Sequence, residues 1–157
     1  MPFLVLAYAC EPDEGSEPGV GWSWSRMLAT IDMTYVVTRS NNAPSIEAAL
    51  ETLPAKERPH FIYVDLPAWA RFWKKGARGL RLYYVLWQIA AFWRVRRLPA
   101  RVGSTIWHLT LANAGLGSTA ALLGRPFIYG PVGGGVAPAW RLSSVLGVKG
   151  TIAEVAR

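Results

Sequence analysis

Five short apolar runs recur along the chain: FLVLAYA (Phe3 to Ala9), TYVVTR (Thr34 to Arg39), FIYV (Phe61 to Val64), TIWHLT (Thr105 to Thr110) and PFIYG (Pro126 to Gly130). They are rich in β-branched and aromatic residues and nearly continuous in apolar character, where a strand with one wet face would alternate. Strands of a parallel sheet, covered on both faces, have this pattern. The stretches between them are helix-like, so the order of elements is that of an α/β, Rossmann-like doubly wound parallel sheet of about five strands.

The first helix is expected from about Gly21 to Thr30. The next follows SNNAPSIEAALETL, where Asn42 is a candidate cap and Pro44 is tolerated in the first turn. Glu47 and Glu51 then lie one turn apart on a solvent face. The crossover from Leu66 to Gly103 is much longer than a parallel connection needs, and so holds an additional helix or a functional insertion. Its most apolar part, LYYVLWQIAAFW (Leu82 to Trp93), is shorter than the ~20 residues of a membrane-spanning helix and reads as a buried or interfacial helix. The tail from Ala137 to Arg157 has helix-compatible spacing at Trp140, Val145 and Leu146, with breaks at Gly147 and Gly150.

A length of 157 residues suits one domain, and a chain 52% hydrophobic and 17% charged is not a disordered one. The net charge of +7 is uneven. No acidic residue stands between Asp65 and Glu154, while Arg71, Lys74, Lys75, Arg78, Arg81, Arg94, Arg96, Arg97 and Arg101 fall inside that interval. Such a stripe suits anionic lipid headgroups, nucleic acid or a phosphorylated small molecule; the plain alternative is a solvated basic face. Trp69 and Trp73 beside Lys74, Lys75 and Arg78 are the mixture of a membrane interface, which makes these five the candidate membrane contacts, or else aromatic cover for the core edge. No nucleic-acid reading motif accompanies the stripe, so nucleic acid is not an expected partner. Cys10 is the single cysteine, which excludes an internal disulfide, fits a reducing compartment and reads as a small core residue. The N-terminal apolar run lacks the basic residues that precede a secretory signal's core.

Doubly wound sheets bind ligands beyond the carboxyl ends of their strands, which directs attention to GSEPGVGW (Gly15 to Trp22), RSNN, HLTLAN and GPVGGG. The dinucleotide fingerprint fails in the first of these: Gly19 and Gly21 supply two glycines, but Trp24 occupies the third position. A phosphate-binding Walker loop is missing as well. What remains is a glycine-bearing loop at a helix N-terminus, where backbone N–H groups and the helix dipole favour an anion. His108 closes the fourth run and is either a donor to a sugar hydroxyl or developing charge, or a structural histidine. Thr110 and Asn113 carry the same two alternatives. GPVGGG, Gly130 to Gly135, either turns backbone donors toward a ligand or makes a tight bend. No His and Cys cluster has metal-ligand spacing, and no nucleophile elbow is present.

Taken in order, ACEPDEGSEPGVGWSWS, VVTRSNN, YVDLP, LYYVLWQIAAFWRVRRL and PFIYGPVGGG resemble the N-terminal domain of family 4-type glycosyltransferases, the glycosyl transferase group 1 class of the GT-B fold. The resemblance covers nearly the whole chain, as one acceptor-side domain over residues 1–157, incomplete at its C-terminus. It implies transfer of a sugar from a nucleotide-sugar donor to a glycan or lipid-linked acceptor, usually with retention, without a metal and without a cofactor. It also implies cell-surface or exopolysaccharide synthesis at the cytoplasmic face, with contact to anionic membrane. Carried over residue by residue, it makes His108 the catalytic candidate beside the donor sugar. The cleft would be lined by Ser16, Glu17, Gly19, Gly21, Asn113, Gly133, Gly134 and Gly135.

The sequence departs from that family at three points, one of them TIDM (Thr30 to Met33), which is less like the usual polar turn before the second strand. The E-x7-E pair of the donor-binding C-terminal domain is missing, and Val136 stands where an acidic residue usually follows the glycine turn. The expectation is therefore a fragment, or one half of a split enzyme, inactive by itself and needing a donor domain or partner chain. A catalytically silent domain that docks on anionic lipid through Trp69 to Arg101 is the alternative.

Overall fold

Residues 1–70, 79–99, 101–133, 147–148 and 150 are described by the structure, a computed structural model. All five apolar runs form strands: β1 (Phe3–Leu6), β2 (Thr34–Thr38), β3 (His60–Tyr63), β4 (Thr105–His108) and β5 (Phe127–Tyr129). They pair in the order β3-β2-β1-β4-β5, and every pairing is parallel. Among the described residues, α1 (Ser16–Ile31), α2 (Ala43–Thr52) and α3 (Leu80–Arg96) flank this sheet. The chain is thus an α/β protein with a Rossmann-like doubly wound sheet.

Alternation along the strands divides the core into two layers. Leu4, Leu6, Val37 and Ile106 face α3, which contributes Tyr83, Tyr84, Trp87, Ala91 and Val95. Val5, Ala7 and Val36 face the opposite way, toward Trp22 and Leu28 of α1 and Ile46 of α2. Leu4, Val5 and Leu6 are consecutive and all fully buried, which is the physical origin of the continuous apolar run. Each such side chain stabilises the fold by roughly 1.5–3 kcal/mol through removal from water.

The long crossover is explained by α3. Tyr84, Gln88, Ala91 and Val95 are buried at spacings of four, three and four, one face of a helix. Leu82, Leu86, Ile89 and Trp93 have the same spacing on the opposite side, where Leu82, Ile89 and Trp93 are exposed. The helix is apolar on both sides and carries Arg81, Arg94 and Arg96 at its exposed positions, with Arg97 just past its end. Among the described residues no helix is long and apolar enough to cross a membrane.

Two local expectations are corrected. α1 begins at Ser16, five residues before the expected start, so Gly19 and Gly21 belong to its first turns and not to a loop. Both glycines serve close approach: a Cβ on Gly19 would stand 2.1 Å from the Glu14 carbonyl oxygen, and one on Gly21 would stand 2.2 Å from that of Ala9. A Cβ at either position would collide with backbone, which is why a residue poor in helix propensity is used there. Asn42 precedes α2 but its side chain does not cap it. A 3₁₀ turn over Ser40–Asn42 already holds Asn42 at φ −91° and ψ −1°, and the freed carboxamide donates through Nδ2 to the Cys10 carbonyl at 3.0 Å.

Other local expectations stand. Glu47 and Glu51 are exposed, and Glu47 accepts from the Tyr63 hydroxyl at 2.7 Å. Cys10 is fully buried, and burial pushes its thiol up to about 12, so it stays protonated core filling. The tail expectation over Ala137 to Arg157 lies almost wholly outside the described residues.

Candidate functional site

At the carboxyl edge of the sheet, the segments leaving β1 and β4 are joined by side chains. Thr110, fully buried, accepts through Oγ1 from the Ala9 N–H at 3.1 Å. Leu111 follows at φ +55°, a conformation a branched side chain seldom adopts. That turn presents the Leu111 N–H to the Oε2 oxygen of Glu17, at 3.0 Å, in the first turn of α1. Glu17 is therefore fixed by one oxygen, and its Oε1 has no hydrogen-bond partner among the described residues.

Asn113 and Gly133 are brought together. They form a parallel bridge in which the Gly133 N–H donates to the Ala112 carbonyl at 2.8 Å and the Ala114 N–H donates to that of Gly133 at 3.2 Å. Tyr129 of β5 reinforces the strap: its Oη accepts from the Asn113 N–H at 2.8 Å and lies 2.8 and 3.2 Å from the carbonyls of Asn113 and Gly117. Asn113 also lines a cavity of about 210 Å³ with Arg81, Gly115 and Leu116.

Ser16 and Gly19 sit apart from that group, in a separate cleft of about 320 Å³ lined also by Glu14, Val20, Ser23 and Trp24. Gly21 is buried against β1's exit. The anion-favouring loop expected around Gly19 and Gly21 is thus helical backbone pressed onto protein. Gly134, Gly135, Trp73, Lys74, Lys75 and Arg78 lie outside the described residues. Trp69 is 77% exposed in a 3₁₀ turn over Ala68–Ala70.

His108 is held inside the fold. It is fully buried, with Nε2 2.6 Å from the Tyr84 hydroxyl and Nδ1 2.6 Å from the Ser118 hydroxyl. Tyr84 Oη also donates to the Leu111 carbonyl at 3.0 Å, and Ser118 Oγ accepts from the Ala120 N–H at 3.2 Å. One tautomer satisfies all of these at once: Ser118 donates to Nδ1, Nε2–H donates to Tyr84, and Tyr84 donates to Leu111. Burial pushes the imidazole down to about 4, so the ring is neutral near pH 7. With both ring nitrogens engaged, His108 has no ring nitrogen left for a ligand and is tied through Tyr84 to the Leu111 turn that holds Glu17.

Sequence reasoning did not single out Tyr84, Ser118 or Tyr129, because they enter from α3, a 3₁₀ cap and β5, and only tertiary contact brings them to the edge. Among the described residues no three His, Cys, Asp or Glu side chains gather as a metal site. Compared with known proteins, the chain matches no family model, no curated protein and no solved structure.

Proposed function

We propose that this chain is the acceptor-side domain of a GT-B-type glycosyltransferase, working with a donor-binding domain to move a sugar from a nucleotide-sugar to an acceptor. The observation that carries the reading is the group at the carboxyl edge of a Rossmann-like sheet: Glu17 held by Leu111, beside the Asn113 and Gly133 strap. It is supported by the ordered resemblance of five separated segments to the family 4-type N-terminal domain. In this reading Glu17 Oε1 accepts a hydroxyl of the acceptor or the sugar, and the strap sets the wall against which it binds. Buried His108 fixes the turn that holds the carboxylate.

Supplied with a GT-B donor domain in one chain, the protein is expected to release nucleoside diphosphate from a nucleotide-sugar. Glu17→Ala is expected to lower kcat/KM about tenfold, the loss of roughly 1.4 kcal/mol of binding to a hydroxyl. Release of no nucleotide from uridine, guanosine, adenosine or thymidine diphosphate sugars would sink the transferase reading. Wild-type kinetics in Glu17→Ala would remove Glu17 from it.

Docking on anionic membrane is a second reading, favoured by the outer face of α3. Leu82, Ile89 and Trp93 are exposed there, and Arg96 stacks on the Trp93 ring with Cζ 5.4 Å from its centroid. Exposed apolar and aromatic residues flanked by arginine match the depth and charge of a lipid headgroup layer. Sedimentation with phosphatidylglycerol vesicles is expected to carry the protein down, less so in added salt. Equal partition onto neutral phosphatidylcholine would exclude the charge-driven form of this reading.

A further inference from the structure

The exit of β2 holds a cation, Arg39, that is in no ion pair among the described residues. β1 and β2 pair Leu6 with Val37, so two residues further on Tyr8 and Arg39 come side by side at the carboxyl edge, on the face that α3 covers. The Arg39 guanidinium carbon lies 5.1 Å from the centroid of the Tyr8 ring and 5.5 Å from that of Tyr83 in α3. Among the described residues the ion pairs are Met1 with Asp32 and Arg26 with Glu57, and Arg39 is in neither.

Asp65, the acid beyond β3, is turned to other donors: Ser40 Oγ at 2.9 Å, the Leu66 N–H at 3.0 Å and the Tyr83 hydroxyl. In this corner Arg39 Nε is buried without a hydrogen-bond partner, and the hydroxyl of Tyr8, only 4% exposed, faces the Arg39 side chain. Proteins rarely leave such groups orphaned, and each one calls for an explanation. Arg39 is only half-buried, and a guanidinium seated between two rings is a preorganised fork for an oxyanion. The location is the ligand edge of a doubly wound sheet.

We propose that Arg39, seated on Tyr8 and Tyr83 at the exit of β2, is an anion-binding residue that takes the phosphoryl or carboxyl group of a ligand. The site does not depend on sugar transfer and binds its oxyanion in the chain as it stands.

The test follows arginine Nε–H resonances by NMR while inorganic phosphate, and separately acetate, is titrated at constant ionic strength. The Arg39 resonance, assigned by its absence in Arg39→Lys, is expected to shift and saturate. Arg26 is the internal reference: its Nε is also buried without a partner, but its guanidinium is held by Glu57. Saturation by phosphate alone assigns a phosphoryl group, and saturation by acetate alone assigns a carboxyl group. Arg39→Lys, which keeps the charge and loses the fork, is expected to bind at least about tenfold more weakly by phosphate-dependent shifts of backbone amides near Tyr8. No saturable shift of Arg39 with either anion, or equal shifts of Arg26 and Arg39, would overturn the proposal.

Discussion

Trp87→Ala is expected to destabilise the protein by about 3–5 kcal/mol, the range for truncating a large ring in a packed interior. Trp87 is fully buried, and its ring stands edge-on to Tyr8 at 5.1 Å and stacks on Tyr84 at 6.4 Å. Its Nε1–H also donates to the Val64 carbonyl at 2.8 Å, pinning α3 to the exit of β3. Truncation opens a cavity and leaves that carbonyl without its donor. Trp93→Ala, on the outer face of the same helix, is expected to stay within about 0.5 kcal/mol. Denaturant midpoints of the two variants read the difference, and equal losses would show that α3 is not seated as described.

Acid sensitivity should be dominated by one ring. His108 titrates near 6.5 when unfolded and is held down to about 4 by burial in the fold. Between those values the unfolded chain takes up a proton that the folded chain refuses. Stability is therefore complete above pH 6.5 and falls as pH drops toward 4, by about 3 kcal/mol in all. The cation also breaks the tautomer chain, since Nδ1 can no longer accept from Ser118. His108→Gln is expected to lose some stability at neutral pH and to flatten the slope between pH 6.5 and 4. A slope unchanged in that variant would assign the acid transition to other groups.

The strands were legible because both faces of the sheet are covered, so FLVL carries no polar alternation to confuse with a surface strand. The start of α1 was not. Gly19 and Gly21 look like turn residues by propensity, yet packing selects them inside a helix because the backbone of Glu14 and Ala9 lies too close for a Cβ. Asn42 shows the reverse case, a residue with the right chemistry for a cap whose backbone had already turned before the helix began. For the candidate site, sequence order picked out the four ligand-edge segments, including RSNN with Arg39. It had no means of seeing that Tyr84 and Ser118, on elements remote from β4, close over His108.

The strand order has a consequence during synthesis. β1, β2 and β3 can pair as soon as residue 63 has emerged, but the other edge of β1 waits for β4, whose His108 faces Leu6. Through that interval the nascent sheet carries an unpaired, wholly apolar rim at Leu4, Val5 and Leu6, open to any foreign strand. The arrangement that puts β1 at the heart of the finished sheet also leaves its second edge bare long after its first is paired. Chaperone demand and inclusion-body formation should track the time taken to deliver β4 to the ribosome exit.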